Sequence, residues 1–216
     1  SGHAIRPSPA VSGDWPTTSS KPDRMTAPAH YLALPRSGSG PGVIVLHSWW
    51  GLNPFFKKLC DRFARAGFAA LAPDLYDGRI ATTPAQAKAL RAESTAKRKT
   101  PAYKLLIAAI EQLRAHGCPQ ARLRQAPSWG ARKPGGGPAF SCEAVQGPRV
   151  ALVGFSMGGH WALWLAQRPE LPIAATIVFY AARDGDYTNS HSRFLFHFAE
   201  SDDWVSASSA RKLKKS

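Results

Sequence analysis

The sequence predicts an α/β fold, a mostly parallel sheet flanked by helices, and three observations carry that expectation. Residues 42–76 read as strand, helix, strand. Residues 149–167 read as a strand running directly into a helix, and two more apolar strands follow at 173–180 and 193–198. Strands that are apolar throughout are buried on both faces, as in a parallel sheet covered by helices. The 216 residues and their 44% hydrophobic content suffice for one such domain with a buried core.

Taken in order, residues 1–24 are Ser, Pro, Thr and Gly with scattered charge and no apolar period. Such a stretch cannot repay the entropy of ordering it, so it is expected to be a disordered leader or tail ahead of a single domain from Met25 to Ser216. Gly42-Val-Ile-Val-Leu-His47 is a β-branched run that predicts a buried strand. Asn53-Pro54 supplies an N-cap and a first-turn proline for a helix carrying Phe55, Phe56, Leu59, Phe63 and Ala64, stopped at Gly67. Phe68–Ala72 is the next strand and ends at Pro73-Asp74-Leu75-Tyr76.

Thr83-Pro84 and Thr100-Pro101 announce two further helices by the same signal, the first to about Ala96 and the second ending before Gly117. From Gly117 to Pro148 no period survives, and this stretch is expected to be a disordered insertion or a translated piece of non-coding or frame-shifted sequence, with a functional lid as the less favoured reading. Strands at Arg149–Gly154, Ile173–Tyr180 and Arg193–Phe198, and helices at Met157–Gln167 and Ser206–Lys215, complete the pattern.

The formal charge of +14 and pI near 10.2 invite a nucleic-acid or polyanion partner. Much of the excess lies in residues 1–24, 112–142 and 211–216, outside or at the end of the patterned core. The alternative to an enzyme is a non-catalytic basic protein on the same scaffold that binds nucleic acid or another polyanion; aromatic residues are not interleaved with the basic ones as single-strand binders require, so no nucleic acid is expected. No apolar run approaches the ~18 residues of a membrane span. Three cysteines leave one unpaired, which favours a reducing compartment, and a cytoplasmic monomer is expected.

Chemistry concentrates in Gly154-Phe155-Ser156-Met157-Gly158-Gly159, between a strand and a helix. This G-x-S-x-G pattern is a nucleophile elbow: a sharp turn raises Ser156 above the sheet edge, over a helix N-terminus that favours developing negative charge. A serine nucleophile needs an acid and a base. Glu200-Ser201-Asp202-Asp203 follows the last strand; Asp202 is the better placed acid, and Asp203 suits a helix cap. The chain order of such sites puts the histidine last, yet no histidine follows Asp202. His47 ends the first strand, His160 is expected to pack or point away, and His197 lies within a strand. The oxyanion hole needs the N–H of Met157 and a second donor from the loop His47–Gly51. Trp50, Tyr76 and Tyr180, near strand ends, are candidate pocket residues.

Four motifs in order, Val43–Asn53, Ala72–Tyr76, the elbow and His197–Val205, resemble the dienelactone hydrolase family, α/β-hydrolases of carboxymethylenebutenolidase type. The resemblance covers roughly residues 28–116 and 148–216. It implies an α/β-hydrolase fold that cleaves a small carboxylic ester or lactone through an acyl-enzyme, with no metal or cofactor. Ser156 would be nucleophile, Asp202 the triad acid, and the backbone N–H groups of Trp49 and Met157 the oxyanion hole. The sequence departs from the family in three places. Ser156 replaces the elbow cysteine, and Ser48 stands where a glutamate is expected. The family's histidine lies beyond the point where this chain ends, so the C-terminal strand and helix are expected to be lacking and turnover feeble.

Overall fold

The computed structural model describes residues 30–97, 99–116, 149–200, 202 and 205–213. The expected leader at 1–24, the expected insertion at 117–148 and Asp203 lie outside the described residues.

Six strands form one sheet in the order β1-β3-β2-β4-β5-β6. They are β1 (His30–Ala33), β2 (Gly42–Leu46), β3 (Ala69–Pro73), β4 (Val150–Phe155), β5 (Ile173–Phe179) and β6 (Arg193–His197). The helices are α1 (Pro54–Arg65), α2 (Pro84–Lys97), α3 (Lys99–Ala115), α4 (Met157–Ala166) and α5 (Ala207–Leu213). All neighbours from β3 to β6 run parallel, as the apolar strands predict. The exception is β1, which pairs antiparallel with β3 and was not expected. Four residues between prolines at 28 and 35 are too short for alternation to register, and the sheet is therefore mixed.

Alternate residues of the central strands feed two cores. Ile44, Leu46, Leu71 and Leu152 face Leu106, Ile110 and Leu113 of α3 and Leu165 of α4. Val43, Val45, Ala70, Ala72 and Val153 face Phe56 and Cys60 of α1. Period-2 side chains thus bury both faces of the same strands. The register matches Leu46 to Gly154, which brings the loops after β2 and β4 to one edge of the sheet. Strand β6 is the far edge among the described residues, where Leu195 remains 51% exposed.

Helix α1 begins where the sequence predicts: Asn53 Oδ1 accepts the Phe55 N–H at 3.0 Å and Pro54 takes the first helical position. Asn53→Ala should cost about 1 kcal/mol in a urea melt. A loss below a few tenths would mean the cap adds nothing. No helix among the described residues is long and apolar enough to cross a membrane.

Candidate active site

Strand β4 ends at Phe155 and helix α4 starts at Met157, leaving Ser156 alone to make the turn. It does so at φ 50, ψ −112, a region that costs a non-glycine residue roughly 1–3 kcal/mol. Backbone bonds impose the conformation: the Ser156 N–H donates to the Phe179 carbonyl at 2.9 Å, and the Ser156 carbonyl accepts the His160 N–H at 3.1 Å. A serine before a helix usually caps it with its hydroxyl. Ser156 makes no such bond, so its Oγ is not consumed by α4.

The turn survives because glycine flanks it. A Cβ on Gly154 would lie 2.5 Å from the Gly158 carbonyl oxygen, and one on Gly158 would meet the carbonyl oxygens of Leu46 and His47. Those contacts are with backbone, which cannot swing aside.

Ser156 opens onto a cleft of about 520 Å³ at this sheet edge. Trp49, Trp50, Met157, Tyr180 and Asp202 share its walls with Ser156, so six of the expected site residues meet around one cavity. Asp202 also accepts the Val205 N–H on Oδ1 at 3.0 Å, which orients its carboxylate. Tyr180 is held at φ 44, its N–H donating to the His197 carbonyl at 2.9 Å, and the residue is 46% exposed.

Tyr76 does not join them. It was expected on the pocket wall but is fully buried one layer down, its hydroxyl donating to the Met157 Sδ at 3.1 Å. Burial pushes its pKa up to about 12. Asp74 explains the displacement: its carboxylate accepts the N–H groups of Tyr76 at 2.9 Å and Gly78 at 2.6 Å and folds the turn inward.

His160 departs from expectation in the opposite direction. It lines the cleft instead of packing or pointing away. Its pKa is lowered, first by burial and then by the Arg91 and Arg183 guanidiniums, so the ring is neutral near pH 7. His47 is completely buried, and His197 sits on the sheet face with its ring stacked 4.4 Å from Phe179.

Sequence reasoning missed Phe55, Phe56, Phe155 and Arg91 on the cleft wall. The phenylalanines read as core, and rings of Phe56 and Phe155 do pack together at 5.4 Å. Arg91 carries no local signal, because it reaches the site only through the packing of α2. The cleft is therefore largely aromatic, with Ser48, Ser156, Asp202, His160 and Arg91 among its polar groups.

Residues 29–121 and 139–216 match the sequence profile described as the dienelactone hydrolase family. The chain is 31% identical over 182 residues to Protein usf of Aquifex pyrophilus, covering 81% of this chain and 67% of that one. A 46-residue stretch is 44% identical to the carboxymethylenebutenolidase of Pseudomonas sp. (strain P51), covering 21% of this chain and 19% of that one. The fold resembles the crystal structure of a dienelactone hydrolase-like promiscuous phosphotriesterase from metagenomic libraries. That match has a TM-score of 0.58 and 23% identity, over 83% of this chain and 65% of that one. The chain thus spans about two thirds of the length of such relatives.

Proposed function

Because this chain belongs to the dienelactone hydrolase family, we propose that it is a serine hydrolase cleaving a small carboxylic ester or lactone through an acyl-enzyme. The observation that carries the reading is Ser156 itself, in a strained turn, with its hydroxyl left out of helix capping and on the wall of a cleft it shares with Asp202. Strain of this kind persists where a function uses it.

In the proposed reaction Ser156 Oγ attacks the substrate carbonyl carbon and the carbonyl oxygen becomes an oxyanion. The N–H groups of Met157 and Trp49 stabilise that charge, and the helix N-terminus beneath Met157 adds to it. Collapse expels the alcohol and leaves an ester on Ser156, which water then cleaves to the acid. Asp202 is the acid that would orient a base. Its carboxylate lies on the same wall, but no histidine follows it in the sequence. That base would take the Ser156 proton on attack and return it to the departing alcohol. With Ser156 at the elbow and Ser48 in the loop after β2, ordinary esters are better substrates than dienelactone.

p-Nitrophenyl acetate tests this directly, since its leaving group departs without a proton. Incubation should add one acetyl group to the protein, and peptide mass mapping should find it on Ser156. An adduct confined to lysines or tyrosines, with Ser156 unmodified, would remove the reading.

A further inference from the structure

His47 is fully buried at the end of β2 and has no part in the reaction above. Both of its ring nitrogens are nevertheless committed. The Leu75 N–H lies 3.0 Å from Nε2, and because a backbone N–H can only donate, Nε2 must present its lone pair. The neutral ring then carries its proton on Nδ1, 2.7 Å from the Ser48 carbonyl oxygen. Asp74 approaches Nε2 only to 4.0 Å, and the rings of Tyr76 and Phe56 enclose the imidazole at 5.1 and 6.2 Å. Burial lowers the ring's pKa against smaller raising effects from the Ser48 carbonyl and Asp74, which keeps it neutral.

The Ser48 carbonyl also accepts the Gly51 N–H at 3.2 Å, so it is gripped from two sides. That carbonyl and the Trp49 N–H belong to one peptide unit. In a planar trans peptide the two point in opposite directions, so whatever fixes the C=O aims the N–H.

We propose that His47 is a positioning residue that aims the Trp49 N–H at the oxyanion, by holding the Ser48 carbonyl through Nδ1–H while anchored on the Leu75 N–H. The inference rests on the reading of Trp49 and Met157 as oxyanion donors. The same anchor reaches the second donor. Leu75 adjoins Tyr76, whose hydroxyl holds the Met157 side chain at 3.1 Å. One turn, closed by Asp74, therefore joins the loop after β2 to the Met157 side chain at the elbow.

Two substitutions separate the roles of the ring nitrogens. His47→Asn keeps a donor near the Nδ1 position, whereas His47→Gln keeps a polar group near Nε2 and loses the bond to Ser48. The measurements are the maximal rate of Ser156 acetylation and the half-saturating ester concentration. Losing an oxyanion donor outright costs about 10²–10³ in rate, and misaiming one costs part of that. The expected losses are about 3-fold for His47→Asn and about 30-fold for His47→Gln, with half-saturation moving less than about 2-fold. Equal losses in the two variants, or a loss confined to half-saturation, would overturn the proposal.

If neither variant folds, nitrogen NMR of the unsubstituted protein decides the matter. A proton on Nδ1 with Nε2 bare supports the proposal, and the reverse tautomer or a doubly protonated ring overturns it. Failure of the unsubstituted protein to acetylate Ser156 strikes the proposed function instead, and His47 loses its role with it.

Discussion

Gly158→Ala is expected to destabilise the fold by about 3 kcal/mol or more and to slow Ser156 acetylation more than tenfold. The added methyl would be driven against the Leu46 and His47 carbonyl oxygens, the latter only 2.6 Å away. Both belong to β2 and the loop it feeds, and Leu46 is paired in register with Gly154 of β4. Relief therefore requires α4 to back away from the sheet, taking Met157 and the Ser156 turn with it. Gly38→Ala is the control: Gly38, unlike Gly158, has a positive φ, 73°, but open space where the methyl would go. It should cost only about 1 kcal/mol, the strain of the left-handed conformation. Urea melts of the two variants check the comparison. Equal destabilisation would mean that the close approach of helix to strand is not what demands glycine at 158.

What was readable in the sequence depends on how far apart the interacting residues lie. The unit β2-α1-β3 was legible because a β-branched run, an Asn-Pro cap and a stopping glycine are all local signals. The elbow was legible for the same reason, since strand, turn and helix occupy adjacent residues. Strand β1 was not, because its pairing with β3 is the only thing that distinguishes four residues from a loop. Tyr76 was assigned to the right neighbourhood and the wrong depth. Chain position shows that it follows a strand, but only the Asp74 turn decides that its ring goes under Met157. His160 was misjudged because its surroundings are set by Arg91 of α2 and Arg183 of the loop after β5, both distant in sequence, and neither announces that role.

Ser156→Ala should abolish the acetyl adduct and lower steady-state hydrolysis of p-nitrophenyl acetate by an amount that reports whether a base serves Ser156. The amount is informative because triad members act as a unit. In a complete serine hydrolase, removing the nucleophile or the base alone costs about as much as removing both, on the order of 10⁶ in kcat. What survives, roughly 10³–10⁴ over water, comes from the oxyanion hole and substrate binding. A site with no working base would already sit near that floor, and deleting its serine would remove the covalent route without removing much rate. The adduct itself needs only Ser156 Oγ, the helix N-terminus and an activated ester, and it disappears completely with the hydroxyl.

The magnitude of the kinetic ratio is therefore diagnostic of the proton acceptor. A loss of several powers of ten in Ser156→Ala would mean that a base already serves Ser156 in these residues, and His160, neutral and on the same cleft wall, would be the first to replace. A ratio near one, with a full acetyl adduct in the unsubstituted protein, would mean that Ser156 and both oxyanion donors are in working order and that proton transfer alone limits the rate. In that case raising the pH should accelerate acetylation without a plateau near neutrality, because hydroxide would take the Ser156 proton. A plateau with a midpoint in the histidine range would mean that a histidine takes the Ser156 proton.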